Sequence, residues 1–166
     1  MEELNGSREA CSRRRDLDDA LRENELQLRA LHAERARILV AAASSGAHHV
    51  DGHRTIPAYL RATCNSGTAT AKRDHTLARL IGEHPRIAEA LKAGHISVDH
   101  AHEIARIHTN PRITHVLEAV LDSLLSMAEH HCLGEFRQQV GSLIGLADQD
   151  GAFREQERDV SNRRAW

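Results

Sequence analysis

Residues 85–107 read PRIAEALKAGHISVDHAHEIARI, and this run leaves the backbone little choice. Ile87, Ala88 and Leu91 recur at helical spacing. Gly94 stands where a helix closes in the left-handed conformation. Ser97 is then a good N-cap, and Ala101, Ile104 and Ala105 carry the apolar face beyond it. The run predicts two short helices joined at a corner. Nothing elsewhere argues for a sheet, because no segment alternates β-branched residues. The apolar content is mostly Ala and Leu, and Tyr59, Phe136, Phe153 and Trp166 are the whole aromatic set. The fold class that follows is all-α, a multi-helix bundle of about seven helices.

A long helix is predicted over residues 16–43, with Asp16 at its start. Its apolar seam runs Leu17, Leu21, Asn24, Leu28, Leu31, Arg35, Ile38, Ala42, in alternating steps of four and three. Such a helix either packs along its own domain or pairs with a second chain. Asn24 and Arg35 are the polar seam residues that would fix the register of a homodimer. After Ser44-Ser45-Gly46 a polar loop, AHHVDGHR, is expected. Thr55 caps a short helix with Pro57 in its first turn, residues 63–67 break the chain, and Thr68 starts a helix reaching about Ile81. Asn110-Pro111 should open a helix carrying Ile113, Val116, Leu117, Val120, Leu121, Leu124 and Leu125 inward, ended by Gly134. A last helix follows through Phe136, Val140, Leu143, Ile144 and Ala147. The expected organisation is a loose segment over 1–15, one helical domain over 16–147 and a charged tail over 148–166.

The formal charge of −2 is unevenly spread. Residues 53–116 hold 9 Lys/Arg against 5 Asp/Glu and 8 of the 13 histidines, whereas residues 117–166 hold 5 against 9. The basic centre suits phosphate binding. Cys11, Cys64 and Cys132 form no CxxC pair and no disulfide framework, which fits reduced thiols in a cytoplasmic protein. No apolar run approaches the roughly 20 residues of a membrane span, and the first residues carry no signal-peptide core.

Four constellations can carry chemistry. On the 68–81 helix, Ala69, Lys72, Arg73, Thr76 and Arg79 share a face opposite Ala71, Ala78 and Ile81. A short helix, a break and then a helix with basic and hydroxyl residues outline a helix-turn-helix. Lys72, Arg73, Thr76 and Arg79 are the candidate DNA-reading residues, with Arg61 and Thr68 as backbone anchors. Asp74 falls on the side this helix should bury. Histidines gather as His95, His100, His102 and His108, as His48, His49 and His53 beside Asp51, and as His130-His131 beside Cys132. His100 and His102 diverge on a helix, and Arg106 stands where a zincin would place its second histidine, so no metal site is assigned. Strands for an HNH nuclease centre are not found. Asp99, Glu103 and His95 fall at i, i+4 spacing, but no nucleophile–base arrangement or phosphate loop accompanies them. No catalytic residue and no cofactor is expected.

Thr55-Ile56-Pro57-Ala58-Tyr59-Leu60, the 67–80 segment, Gly94-His95-Ile96-Ser97 with His100-Ala101, and Asp150-Gly151 before a charged tail resemble one actinobacterial family over residues 17–151. It is domain of unknown function 222, also called the 13E12 repeat family, although no internal repeat is visible here. The pattern Leu80, Pro85, Ala90-Leu91, Gly94, Ile96-Ser97 and His100-Ala101 is locally similar to the DNA-binding domain of ParB-type partition proteins, which carries a helix-turn-helix in the equivalent segment. The first resemblance implies a context in which an HNH-type nuclease domain follows this region. Asn162-Arg163-Arg164-Ala165-Trp166 resembles the place where relatives continue into it. The two together imply a non-catalytic helical module that binds DNA or positions a substrate. The alternative is a protein-interaction or dimerisation module built on the 16–43 helix, without nucleic acid.

Overall fold

The apolar stripes fold into helices that bury them against one another. In the computed structural model the backbone is described over residues 2–163 and the side chains over residues 13–148. Eight α-helices and one 3-10 turn, with no strand, make up the described residues. They are α1 (Glu2–Ser45), α2 (Ala47–Val50), α3 (Ile56–Cys64), α4 (Thr68–Glu83), α5 (Pro85–Ala93), α6 (Val98–His108), a 3-10 turn (Thr114–Val116), α7 (Leu117–His130) and α8 (Leu133–Arg163). The bundle is all-α as expected. The eighth helix is α2, a single turn formed inside the loop expected after Gly46.

Helix α4 is the hub. It packs against α1, α3, α5 and α6, while α6 in turn packs against α7 and α8. Ala71, Leu77, Ala78, Leu80 and Ile81 of α4 are buried, as are Ala33, Ala36 and Leu39 of α1. Small residues on both helices allow close approach, and a Cβ at Gly82 would stand 3.1 Å from the Val40 side chain. Asp74 is buried on this same side, and its partner explains why: Arg35 Nε lies 2.9 Å from Asp74 Oδ2. The Arg35 side chain keeps some exposure although its Nε is buried, so the pair is only partly desolvated. Arg35 also donates to Ser66 Oγ at 3.4 Å. This seam residue is therefore committed within its own chain.

The corner at residues 94–97 forms as its sequence dictates. Gly94 has φ 80° and closes α5, and its N–H bonds back to the Leu91 carbonyl. Ser97 Oγ accepts from the His100 N–H, and the His100 ring reaches back to the Ser97 N–H, a reciprocal cap. His100 then lies edge-on to Phe136 of α8, ring centroids 5.0 Å apart. From α1, Arg29 donates to the Gly94 carbonyl at 2.9 Å and to the Ile96 carbonyl at 3.4 Å. It thus serves carbonyls that the end of α5 leaves without helical partners.

Several boundaries differ from expectation. Helix α1 runs through Asp16 as an interior residue. The backbone is helical from Glu2 in α1 and to Arg163 in α8, across most of the expected loose 1–15 segment and 148–166 tail, while the side chains of residues 1–12 and 149–166 lie outside the described residues. The helix expected to open at Asn110-Pro111 begins only at Leu117. Asn110 Oδ1 instead accepts from the Arg112 N–H, and its carbonyl from the N–H groups of Ile113 and Thr114, which builds a turn first. Gly134 does not end α7. The break is at His131, extended at φ −112°, ψ 149°, and Gly134 sits in the first turn of α8.

Burial lowers the pKa of His75, His100 and His102, with nearby cations adding to the effect (Arg79, Arg29 and Arg73 respectively). A lowered imidazole in the folded state means the unfolded chain binds more protons. The stabilisation is complete above the ordinary imidazole value near 6.5 and is lost as pH falls through the lower folded values. Thermal melts across this range should therefore show Tm falling below about pH 6.5, before carboxylates titrate. Replacing Gly94 with Ala should cost about 1–2 kcal/mol, because the left-handed backbone penalises a Cβ. The new Cβ also collides with the Leu26 side chain, whose flexible end can give way. Chemical denaturation of the two proteins measures this difference.

Candidate functional site

Two surfaces stand out, one along α1 and one on α4. Between residues 13 and 28 no position of α1 is buried, and all but Asp18 are exposed. The burial of α1 in its own domain is carried by Ala33, Ala36 and Leu39, which lie off the seam. The seam itself faces outward: Leu17 is 61% exposed, Leu21 69%, Leu28 44%, Leu31 64% and Ile38 58%. Large aliphatic side chains on one face of a charged helix, all left in water, form an apolar stripe without an intramolecular partner.

Toward its C-terminal half the stripe becomes one wall of a groove. Leu28, Leu31 and Ile38 of α1 face Tyr59, Thr63 and Cys64 of α3 across a cleft of about 520 Å³. Its floor includes Leu39 and Leu60, both buried. Cys64 is a free, exposed thiol, as is Cys132. Sequence periodicity found the stripe. The groove needed the fold, because nothing in the spacing places α3 beside α1.

The α4 surface holds some of the DNA-reading candidates together and diverts one. Thr68, Lys72 and Arg79 are exposed on one side, and Thr76 is half-buried beside them. Arg61 is exposed on α3. Lys72, Arg79 and Arg61 make no ion pair among the described residues. Arg73 turns away to α6, where its guanidinium lies 3.0 Å from Asp99 Oδ1. That pair is exposed on both sides and so is worth little to stability. It nonetheless offsets one positive charge of the face. The break between α3 and α4 is shorter than residues 63–67 suggested. Only residues 65–67 are non-helical, with Asn65 left-handed at φ 50°.

The remaining constellations resolve into structure. Asp99, Glu103 and His95 do not converge. Glu103 is buried and bridges α6 to α8, accepting from Arg106 at 2.7 Å and Arg137 at 2.8 Å. Burial raises its pKa, but these two hydrogen bonds outweigh burial and hold the carboxyl below its ordinary range. His95 pairs with Glu129 of α7 at 2.7 Å. His48 is buried and stacks on His49, centroids 3.9 Å apart, while His53 lies near Tyr59. His131 lies 3.4 Å from Glu135. One grouping escaped sequence reasoning: Glu83, His84 and His108 meet where α4 and α6 end. His84 and His108 are separated by 24 residues, so only the fold brings them together. No helix among the described residues is long and apolar enough to cross a membrane.

No curated protein and no solved structure matches this chain. A family model described as "Domain of unknown function (DUF222)" matches residues 18–166. The match covers α1 from Asp18 onward, the α4 hub and the two helices beyond α6. The chain therefore belongs to the DUF222 family.

Proposed function

We propose that this domain is a non-catalytic pairing module in which α1 of one copy lies against α1 of a second. The outward seam from Leu17 to Ile38 carries the reading. Its steps of four and three are the spacing that keeps one helix face against a parallel partner. A second copy is favoured as the occupant by charge as well as pattern. With Leu21 and Leu28 at the first heptad position, Arg13 and Asp18 flank the seam so that each meets the other's counterpart across a parallel pair. Asn24 is then the polar seam residue that holds register, since Arg35 is bound to Asp74. The groove beside α3 accommodates the C-terminal part of the partner helix, and twofold symmetry repeats this in the other copy.

The magnitudes are sufficient. Burying a leucine of this exposure contributes roughly 1–2 kcal/mol. Leu17, Leu21, Leu28 and Leu31 from two copies, less an association cost of about 4 kcal/mol, leave roughly 4–12 kcal/mol, a span centred on micromolar dissociation. If a nuclease domain followed, as in relatives of the kind the resemblance implies, pairing would place two such domains side by side. Sedimentation of the full chain at tens of micromolar should show a reversible dimer. Leu28→Asp with Leu31→Asp should make it monomeric with unchanged helicity. A strict monomer at that concentration would remove the proposal.

A second reading, contact with DNA through α3 and α4, is favoured by the three-residue connection and by the unpaired Lys72, Arg79 and Arg61. Against it stands the central position of α4, whose other faces are covered by four helices. A fluorescence-anisotropy titration with random duplex DNA at two salt concentrations tests it. Binding should weaken with salt at a slope near −0.9 per phosphate contacted, and the triple change of Lys72, Arg79 and Arg61 to Ala should abolish it. No binding at low salt excludes DNA as a ligand of the isolated domain.

A further inference from the structure

We infer that Glu83, His84 and His108 form a binding site for a zinc-class divalent transition cation. The three residues come from the last turn of α4, the single residue between α4 and α5, and the last turn of α6. Each offers a ligand atom, and these atoms lie within 4.8 Å of one another. Two imidazoles and one carboxylate are the donor set that holds zinc with one position left for water. His108 Nε2 is 3.0 Å from Glu83 Oε2, close to the edge of a tetrahedron whose bonds are about 2.0–2.1 Å. The two rings stand edge-on, centroids 5.9 Å apart at 86°. The His84 donor completes the set, with the three atoms spread over no more than 4.8 Å.

The surroundings fit a ligating pair of histidines. The His108 side chain is only 1% exposed, and its Nδ1 has no hydrogen-bond partner. Its one polar engagement is therefore Nε2, turned toward Glu83. A cation on Nε2 would fix the proton on Nδ1, so what recommends His108 is its burial and the aim of Nε2 at Glu83. His84 has the support that a ligand histidine needs. Its Nδ1 lies 3.0 Å from Glu118 Oε2, at the start of α7, which leaves Nε2 to ligate. Imidazole floors the site and carboxylate opens it to water, so a cation has a way in. Bound there, it would tie α4 to α6 through Glu83 and His108, and both to α7 through His84 and its outer partner Glu118.

The test uses the full chain, stripped with chelator and titrated with Zn2+ and with Co2+. Calorimetry should give one tight site per chain, Co2+ should give the intense visible spectrum of tetrahedral coordination, and Zn2+ should raise Tm. Glu83→Gln and His84→Gln should each weaken binding at least tenfold, and Glu118→Gln by roughly 10–100-fold as an outer partner. Replacing His130 and His131 together with Gln should leave the site intact. Glu83 and Glu118 are exposed, so their variants fold whatever the role of His108. Absence of a single tight site, or equal affinity in the Glu83→Gln, His84→Gln and Glu118→Gln variants, overturns the assignment.

Discussion

The close approach of α1 and α4 is the constraint from which the rest of the bundle follows. It is made by alanines and by Gly82 against Val40, so two backbones come together with little side chain between them. Dispersion grows with contact density, and a tight pair gains it along its whole length. The consequence for polar groups is immediate. Asp74 is carried into the contact and has to be met there, and Arg35 meets it from α1. Once α4 is fixed, α3, α5 and α6 have a surface to pack on, and α7 and α8 build outward from α6.

That arrangement gives α1 two faces. Its buried face, Ala33, Ala36 and Leu39, belongs to the fold, while its larger aliphatic face looks away from the bundle. A helix with leucines on its outer side and alanines on its inner side inverts the usual placement of bulk. Closeness to α4 is what the small residues serve, and the proposed pairing is what would use the outer bulk. The same economy of aromatics is felt in the interior, where Phe136 is the one large ring fully buried among the described residues and packs on the His100 that caps α6.

Much of this was legible in the sequence, element by element. Gly94 and Ser97 announced their corner because a left-handed closure and a side-chain cap are local events. Thr55 with Pro57 announced α3 for the same reason. The beginning of α7 was not legible, because Asn110 offers a turn whose competition with helix is settled by neighbours. The stripe on α1 was readable as a period but not as inside or outside, since both faces recur at helical spacing. Asp74 looked misplaced until Arg35, 39 residues earlier, could be put beside it. The Glu83–His84–His108 grouping was invisible for the same reason: proximity across helix ends is a property of packing, not spacing. Arg73, grouped on a helical wheel with Lys72 and Arg79, is exposed as they are and is paired with Asp99 of α6, a partner that spacing does not reveal.

The separation of the two faces of α1 has an evolutionary consequence. Leu17, Leu21, Leu28 and Leu31 are all exposed, so substitutions along them carry a small folding penalty compared with changes in the core. Duplicated copies of such a domain can drift apart in whom they recognise while keeping one architecture. If α1 pairs as proposed, insulation of the two copies from each other requires only a few changes on an exposed stripe, for example a charge exchanged between Arg13 and Asp18. A lineage holding many such paralogues side by side could keep each pairing only with its own kind.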